Sequence, residues 1–174
     1  QSGKWVHSAS IEQVSGIDMN GDLPDMGFEI RLARDGSIDN DGKPPWLDPA
    51  PSRTSFKKKP KGVDDFASII THELLHEFGI SYENGSDYTN RFTELVVGMF
   101  GKNYFTGANA VARYGRNVPL TDMRTSNSYD HIDAVNRKDS FITAMPRSAE
   151  WGENWRQPSE LDLAILKDLG WNVI

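Results

Sequence analysis

The chain has 174 residues, enough for one domain that buries roughly two-thirds of its unfolded surface and short for two. Its 37% hydrophobic and 10% aromatic content disfavour a disordered chain, and 19 basic against 25 acidic residues, a net charge of -6, argue against nucleic-acid binding, which needs a basic face. The absence of cysteine excludes disulfides, thiolate metal sites and thiol nucleophiles, which leaves four histidines among 25 carboxylates for any metal chemistry.

No apolar stretch approaches the ~18 residues of a membrane span. The start Gln1-Ser2-Gly3 carries neither Met nor a signal-like apolar run and reads as a mature product or an excised domain. Residues 1–62 are rich in Gly, Pro, Asp and Asn. Within them Phe28, Ile30 and Leu32 alternate with Glu29 and Arg31, predicting a strand over about 27–33. Trp5-Val6 and Ile11 to Ile17 offer interrupted strand patterns. The acidic loops Asp18 to Asp22 and Asp35 to Gly42 bring together oxygens of the kind calcium prefers. Neither completes an EF-hand, so solvated turns are favoured over structural calcium, which stays open as a second cofactor. The run Lys57-Lys58-Lys59-Pro60-Lys61 reads as an exposed loop.

From residue 63 the texture becomes helical. Phe66, Ile69, Ile70 and Leu74 follow a start signal at Asp64 or Asp65, and Gly79 stands where a helix would stop. Phe92, Leu95, Val96, Met99 and Phe100 form a helical stripe that predicts a second, core-facing helix over about 88–100. Ala108 to Tyr114 reads as a short helix closed by Gly115. A last helix starts at Pro158-Ser159-Glu160-Leu161-Asp162, runs through Ala164, Ile165 and Leu169, and stops at Gly170, with Trp171 packing back onto it.

Inside the first of these helices stands His72-Glu73-Leu74-Leu75-His76, an H-E-x-x-H run. Residues four apart sit one turn above each other, so both imidazoles can reach one tetrahedral zinc ion. Glu73 projects to the neighbouring side of the helix, where it can act as a base without being a ligand. With the His and Glu content of this chain, one such match arises by chance in about half a percent of cases. A third protein ligand is then needed. His7 stands far from the motif beside a predicted strand and reads as structural.

His72-Glu73-Leu74-Leu75-His76-Glu77-Phe78-Gly79 resembles H-E-x-x-H-x-x-G, the opening of the metzincin zinc-peptidase signature. The usual third His three residues after the Gly is absent, because that position is Tyr82. A distant His131 followed by Phe141-Ile142-Thr143-Ala144-Met145-Pro146, similar to a Met-turn, resembles the leishmanolysin arrangement, and roughly residues 63–174 resemble bacterial secreted matrixin-like and serralysin-like peptidases. The resemblance implies zinc on His72, His76 and His131, Glu73 as catalytic base, Met145 as a hydrophobic floor, and a secreted protein on a bacterial exterior. Where some metzincins carry a Tyr two residues past that Met, this chain has Arg147. A thermolysin-type site with Glu94 is the competing peptidase.

The expected fold is α+β and metzincin-like, a single catalytic domain in two unequal halves around a cleft. Residues 1–80 would form a twisted mixed sheet with the active-site helix. Residues 81–174 would form a mostly irregular or helical half with the third ligand, the Met-turn and the C-terminal helix. The expected partner is a protein or peptide substrate added to an exposed sheet edge, with a pocket wall from the loop around residues 132–155, where Trp151 and Trp155 either line the wall or simply pack. A non-catalytic zinc-binding module, closed by Tyr82 or a carboxylate as fourth ligand, is the rival from another class; it has no use for Glu73.

Overall fold

The computed structural model describes residues 17–18, 21–22, 45–50, 60, 65–82, 89–121, 131–133 and 156–173. They form a small mixed α/β fold with the element order α1 (Phe66–Glu77), α2 (Arg91–Glu94), β1 (Val96–Met99), β2 (Lys102–Phe105), α3 (Ala108–Tyr114), β3 (Val118–Pro119) and α4 (Glu160–Asp168). The three strands make one antiparallel sheet in the order β1-β2-β3. Strand 27–33, the segment 5–6 and most of 11–17 lie outside the described residues, as do loop 35–42 and the lysines of the 57–61 run. In the loop at 18–22 the Asp18 carboxylate accepts from the Gly21 N–H at 2.6 Å, a local turn contact.

The helices expected at 108–114 and at the C-terminus form where periodicity and capping chemistry placed them. Ser159 caps α4 by accepting from the Asp162 N–H at 3.2 Å, and Asp162 returns a bond from the Ser159 N–H at 2.7 Å. Asp168, at the other end of α4, accepts from the backbone N–H groups of Asn109 and Ala110, each at 2.9 Å, and so satisfies the first turn of α3. An ion pair between Arg113 and Glu160 joins the same two helices.

The helix expected over 88–100 is corrected. Asn90 caps only one helical turn, α2, and the chain then turns into the β1–β2 hairpin. Val96 and Val97 are β-branched and lose rotamer freedom in a helix, and Gly98 adds a cost of about 1 kcal/mol relative to Ala there. The Leu95 carbonyl instead accepts from both the backbone N–H and the hydroxyl of Thr106, each at 2.8 Å, which closes the hairpin at its base. Of the expected apolar stripe, Phe92 is buried, Leu95 and Val96 pack against the core, and Met99 and Phe100 face solvent. The half after residue 80, expected to be irregular or helical, therefore holds the described sheet. The core joins Leu75 and Ile80 to Phe92, Phe105, Val118, Leu120, Ile132, Leu161 and Ile165, with Phe92 and Phe105 stacked at 4.9 Å.

Phe100 and Gly101 form a two-residue hairpin loop with φ of 53° and 74°. Positive φ at both positions is the pattern of a type I′ turn, where Asn-Gly is favoured and a bulky residue pays for its Cβ. Phe100 is fully exposed, so no packing offsets that cost. Phe100→Asn is expected to raise stability by about 1 kcal/mol, a rise in thermal midpoint of about 2–4 °C in a calorimetric scan.

Candidate metal centre

Asp65 caps α1, its carboxylate accepting from the Ser68 N–H at 3.1 Å and the Ser68 hydroxyl at 2.7 Å. The residues of α1 that become buried are Ser68, His72 and Leu75, one narrow stripe. His72 is therefore an inward-facing residue only 4% exposed, and His76 follows it one turn later, half-buried.

The end of α1 orients the second imidazole. Gly79 adopts a φ of 98°, the Gly79 N–H donates to the His76 carbonyl at 2.9 Å, and the Ile80 N–H donates to the Leu75 carbonyl at 3.1 Å. This is a Schellman motif, with its accompanying apolar contact between Ile80 and Leu75 in the core. The left-handed glycine folds the chain back so that the Ile80 carbonyl lies 2.8 Å from His76 Nδ1. A carbonyl only accepts, so Nδ1 carries the proton and Nε2 presents a lone pair. Gly79 thus does more than turn the chain: it brings up the Ile80 carbonyl, the acceptor that fixes the tautomer of a candidate ligand.

His131 arrives from a different support. The Thr121 N–H donates to the His131 carbonyl at 2.8 Å and the Asp133 N–H donates to the Pro119 carbonyl at 2.9 Å, around an antiparallel bridge between Leu120 and Ile132. Segment 131–133 thereby extends the sheet beyond β3, and buried Ile132 anchors it. Sequence reasoning did not foresee this pairing; its only signal was the short apolar run Val118-Pro119-Leu120.

The three imidazoles converge through their Nε2 atoms. His72 Nε2 lies 3.1 Å from that of His76 and 3.2 Å from that of His131. His72 and His131 stack at 5.1 Å with 21° between their planes, while His76 stands edge-on to both. Zinc–nitrogen bonds of 2.0–2.1 Å at tetrahedral angles separate ligand nitrogens by about 3.3 Å, so the residues fit a tetrahedral cation. With Nδ1 donating to the Ile80 carbonyl, His76 has its Nε2 turned to the same point as the other two. His72, His76 and His131 form a cluster able to hold a divalent metal ion.

No family model, curated protein or solved structure matches this chain.

Among the described residues no carboxylate joins the three nitrogens. Glu73 is exposed on α1 beside His72, apart from the ligand set, as a base would need to be. Glu94, the competing third ligand, is exposed on α2, where Arg91 donates to its carboxylate at 3.2 Å. Tyr82 packs against the hydrophobic core. Met145, Arg147, His7, Trp151 and Trp155 lie outside the described residues.

A second polar cluster, unforeseen in the sequence, sits at the N-terminal end of α1. The Arg156 guanidinium donates to both Asp65 oxygens, at 2.7 Å and 2.5 Å, and to Asp48 at 2.7 Å, and it stands 5.4 Å from the centre of the Trp46 ring. The Phe66 N–H donates to the Trp46 carbonyl at 3.2 Å, so segment 45–48 is held by backbone and charge together. Burial works to raise the Asp65 carboxyl, but hydrogen bonds from Arg156 and Ser68 and the Arg156 charge outweigh it and hold it below its ordinary value. A depressed carboxylate stabilises the fold fully above its unfolded value near about 3.9 and loses that contribution as pH falls toward its folded value. Denaturant titrations from pH 5 downward are expected to show wild type losing stability below about pH 4 more steeply than Asp65→Asn, which has no such proton to take up.

Proposed function

We propose that the chain is a zinc-dependent endopeptidase of metzincin type, a single catalytic domain whose halves, 1–80 and 81–174, flank a substrate cleft. The observation that carries this reading is the convergence of His72, His76 and His131 through Nε2 atoms 3.1 and 3.2 Å apart, with an exposed glutamate next to the first of them. Three neutral nitrogen ligands with a fourth position left for water or substrate is the donor set of catalytic rather than structural zinc. A divalent cation held there supplies Lewis acidity toward a carbonyl oxygen and toward water.

The chain's own residues divide the remaining work. His72 and His76 hold the cation from one helix face, and the Ile80 carbonyl keeps the His76 ring in the ligating tautomer. His131 completes the set from the sheet side. Glu73 accepts the proton of the attacking water and returns it to the departing amine, two transfers by one carboxylate that never needs to leave solvent. The metzincin resemblance implies for Met145 the role of an apolar floor. A secreted protein on a bacterial exterior is part of the same proposal, and the resemblance to secreted bacterial peptidases is what supports it. Its substrates are extended segments of proteins.

Digestion of casein by protein loaded with one equivalent of zinc tests the reading. Activity that disappears with a chelator and returns with zinc supports it. A zinc-loaded protein that cleaves neither casein nor gelatin overturns it in favour of a binding module.

A further inference from the structure

We propose that Arg156 and Trp171 are positioning residues for the metal centre, bracing α1 at its two ends from the C-terminal segment. The inference rests on the reading of His72, His76 and His131 as metal ligands and adds the device that holds two of them in register with the third.

The need for such a device follows from the supports. Two ligands ride on α1, and the third sits on a segment paired with β3. Their nitrogens stay about 3 Å apart only if α1 neither slides nor tilts against the sheet. The buried stripe of α1 offers little to prevent that, since its members are Ser68, His72 and one apolar residue, Leu75. Apolar contact is in any case non-directional, whereas charge-assisted and N–H hydrogen bonds fix a position.

Directional bonds are found at both ends. At the start, Arg156 grips the capping residue Asp65 through a two-pronged contact and reaches Asp48 with its remaining nitrogen. The side chains are sealed from water, with Arg156 and Asp48 each 7% and Asp65 1% exposed. The carboxylate of Asp65 also stands at the N-terminal end of α1, where a helix favours negative charge. At the finish, the Trp171 Nε1–H donates to the Phe78 carbonyl at 2.8 Å, and the two rings meet edge to face at 4.9 Å. Phe78 is the C-cap of α1. Both clamps come from one stretch: Arg156 precedes α4 and Trp171 follows it. In sequence α4 stands between the two clamps. Its own end is rigid, because Gly170, with a φ of 103°, closes a second Schellman motif in which the Trp171 N–H donates to the Leu166 carbonyl at 3.0 Å.

The test compares wild type with Arg156→Met, Arg156→Lys, Trp171→Phe and the Met/Phe double variant. Zinc affinity is read by competition with a chromogenic chelator, and site geometry by the visible absorption of the cobalt-substituted protein. The expected result is a loss of zinc affinity of roughly 10–100-fold in Arg156→Met, in line with other residues that orient ligands without touching the metal. A smaller loss is expected in Trp171→Phe, which keeps the ring and drops the donor. The cobalt spectrum should alter in both, and Arg156→Lys should recover part of the affinity. If Arg156→Met fails to fold, Arg156→Lys and Trp171→Phe carry the same measurement. Variants that melt earlier without metal yet bind zinc with wild-type affinity and an unchanged cobalt spectrum would reduce the brace to ordinary fold stabilisation and overturn the proposal. Failure of the underlying reading is a different result: wild type itself would bind no stoichiometric zinc.

Discussion

Replacing Glu73 by glutamine is expected to lower the rate of peptide hydrolysis by about 10³-fold while leaving zinc content and thermal midpoint close to wild type. The size follows from what general acid–base help contributes, roughly 10²–10⁴-fold. Glutamine keeps the shape and hydrogen-bonding reach of the side chain but cannot accept a proton at neutral pH. Stability should not change, because Glu73 is exposed and stands outside the clustered ligand nitrogens, and such surface substitutions usually stay within about 0.5 kcal/mol. The variant therefore separates chemistry from architecture. Casein digestion at a fixed zinc-to-protein ratio, with metal measured in the same sample, reads both. Hydrolysis within a few-fold of wild type by a fully loaded E73Q protein would remove Glu73 from the mechanism and return the metal centre to a binding role.

What the sequence disclosed and what it hid divide along the range of the interactions. Helices α1, α3 and α4 were legible because their determinants are local: an apolar period, a capping Asp or Ser, and a glycine free to take positive φ just beyond the last turn. His72 and His76 were legible for the same reason, since four-residue spacing on a helix fixes their proximity. The stretch after Asn90 misled because Phe92, Leu95, Val96 and Met99 satisfy a helical period by position alone. The opposing signals were the consecutive β-branched Val96 and Val97, Gly98 inside the supposed helix and Gly101 just past it; these describe a hairpin. His131 was reached only through a family resemblance. Nothing local marks it, and its place depends on hydrogen bonds to Pro119 and Thr121 across the sheet edge. Arg156 was invisible altogether, being 91 residues from Asp65 and 108 from Asp48. A single arginine in a polar stretch carries no mark of the buried carboxylates it will meet.

His131→Ala and Glu94→Ala give the second large contrast, and its sign decides the class of site. Apparent binding energies of about 10–16 kcal/mol for a four-ligand zinc site amount to roughly 3 kcal/mol per ligand, so deleting a true ligand should weaken zinc by at least about a hundredfold. His131→Ala is expected to show that loss, and dialysis against a weak chelator should strip it where wild type stays loaded. The fold should survive, because segment 131–133 is held through its backbone and through buried Ile132, neither of which the substitution touches. Glu94→Ala is expected to retain full zinc, since Glu94 stands outside the clustered nitrogens, and the exposed pair with Arg91 that it gives up is worth about 0.3–0.5 kcal/mol at this helical spacing. The opposite pattern would require α2 to approach α1 closely enough for the Glu94 carboxylate to displace an imidazole whose Nε2 already lies 3.2 Å from His72. The contrast therefore weighs one sheet-borne nitrogen against one helix-borne oxygen, with stability held level on both sides.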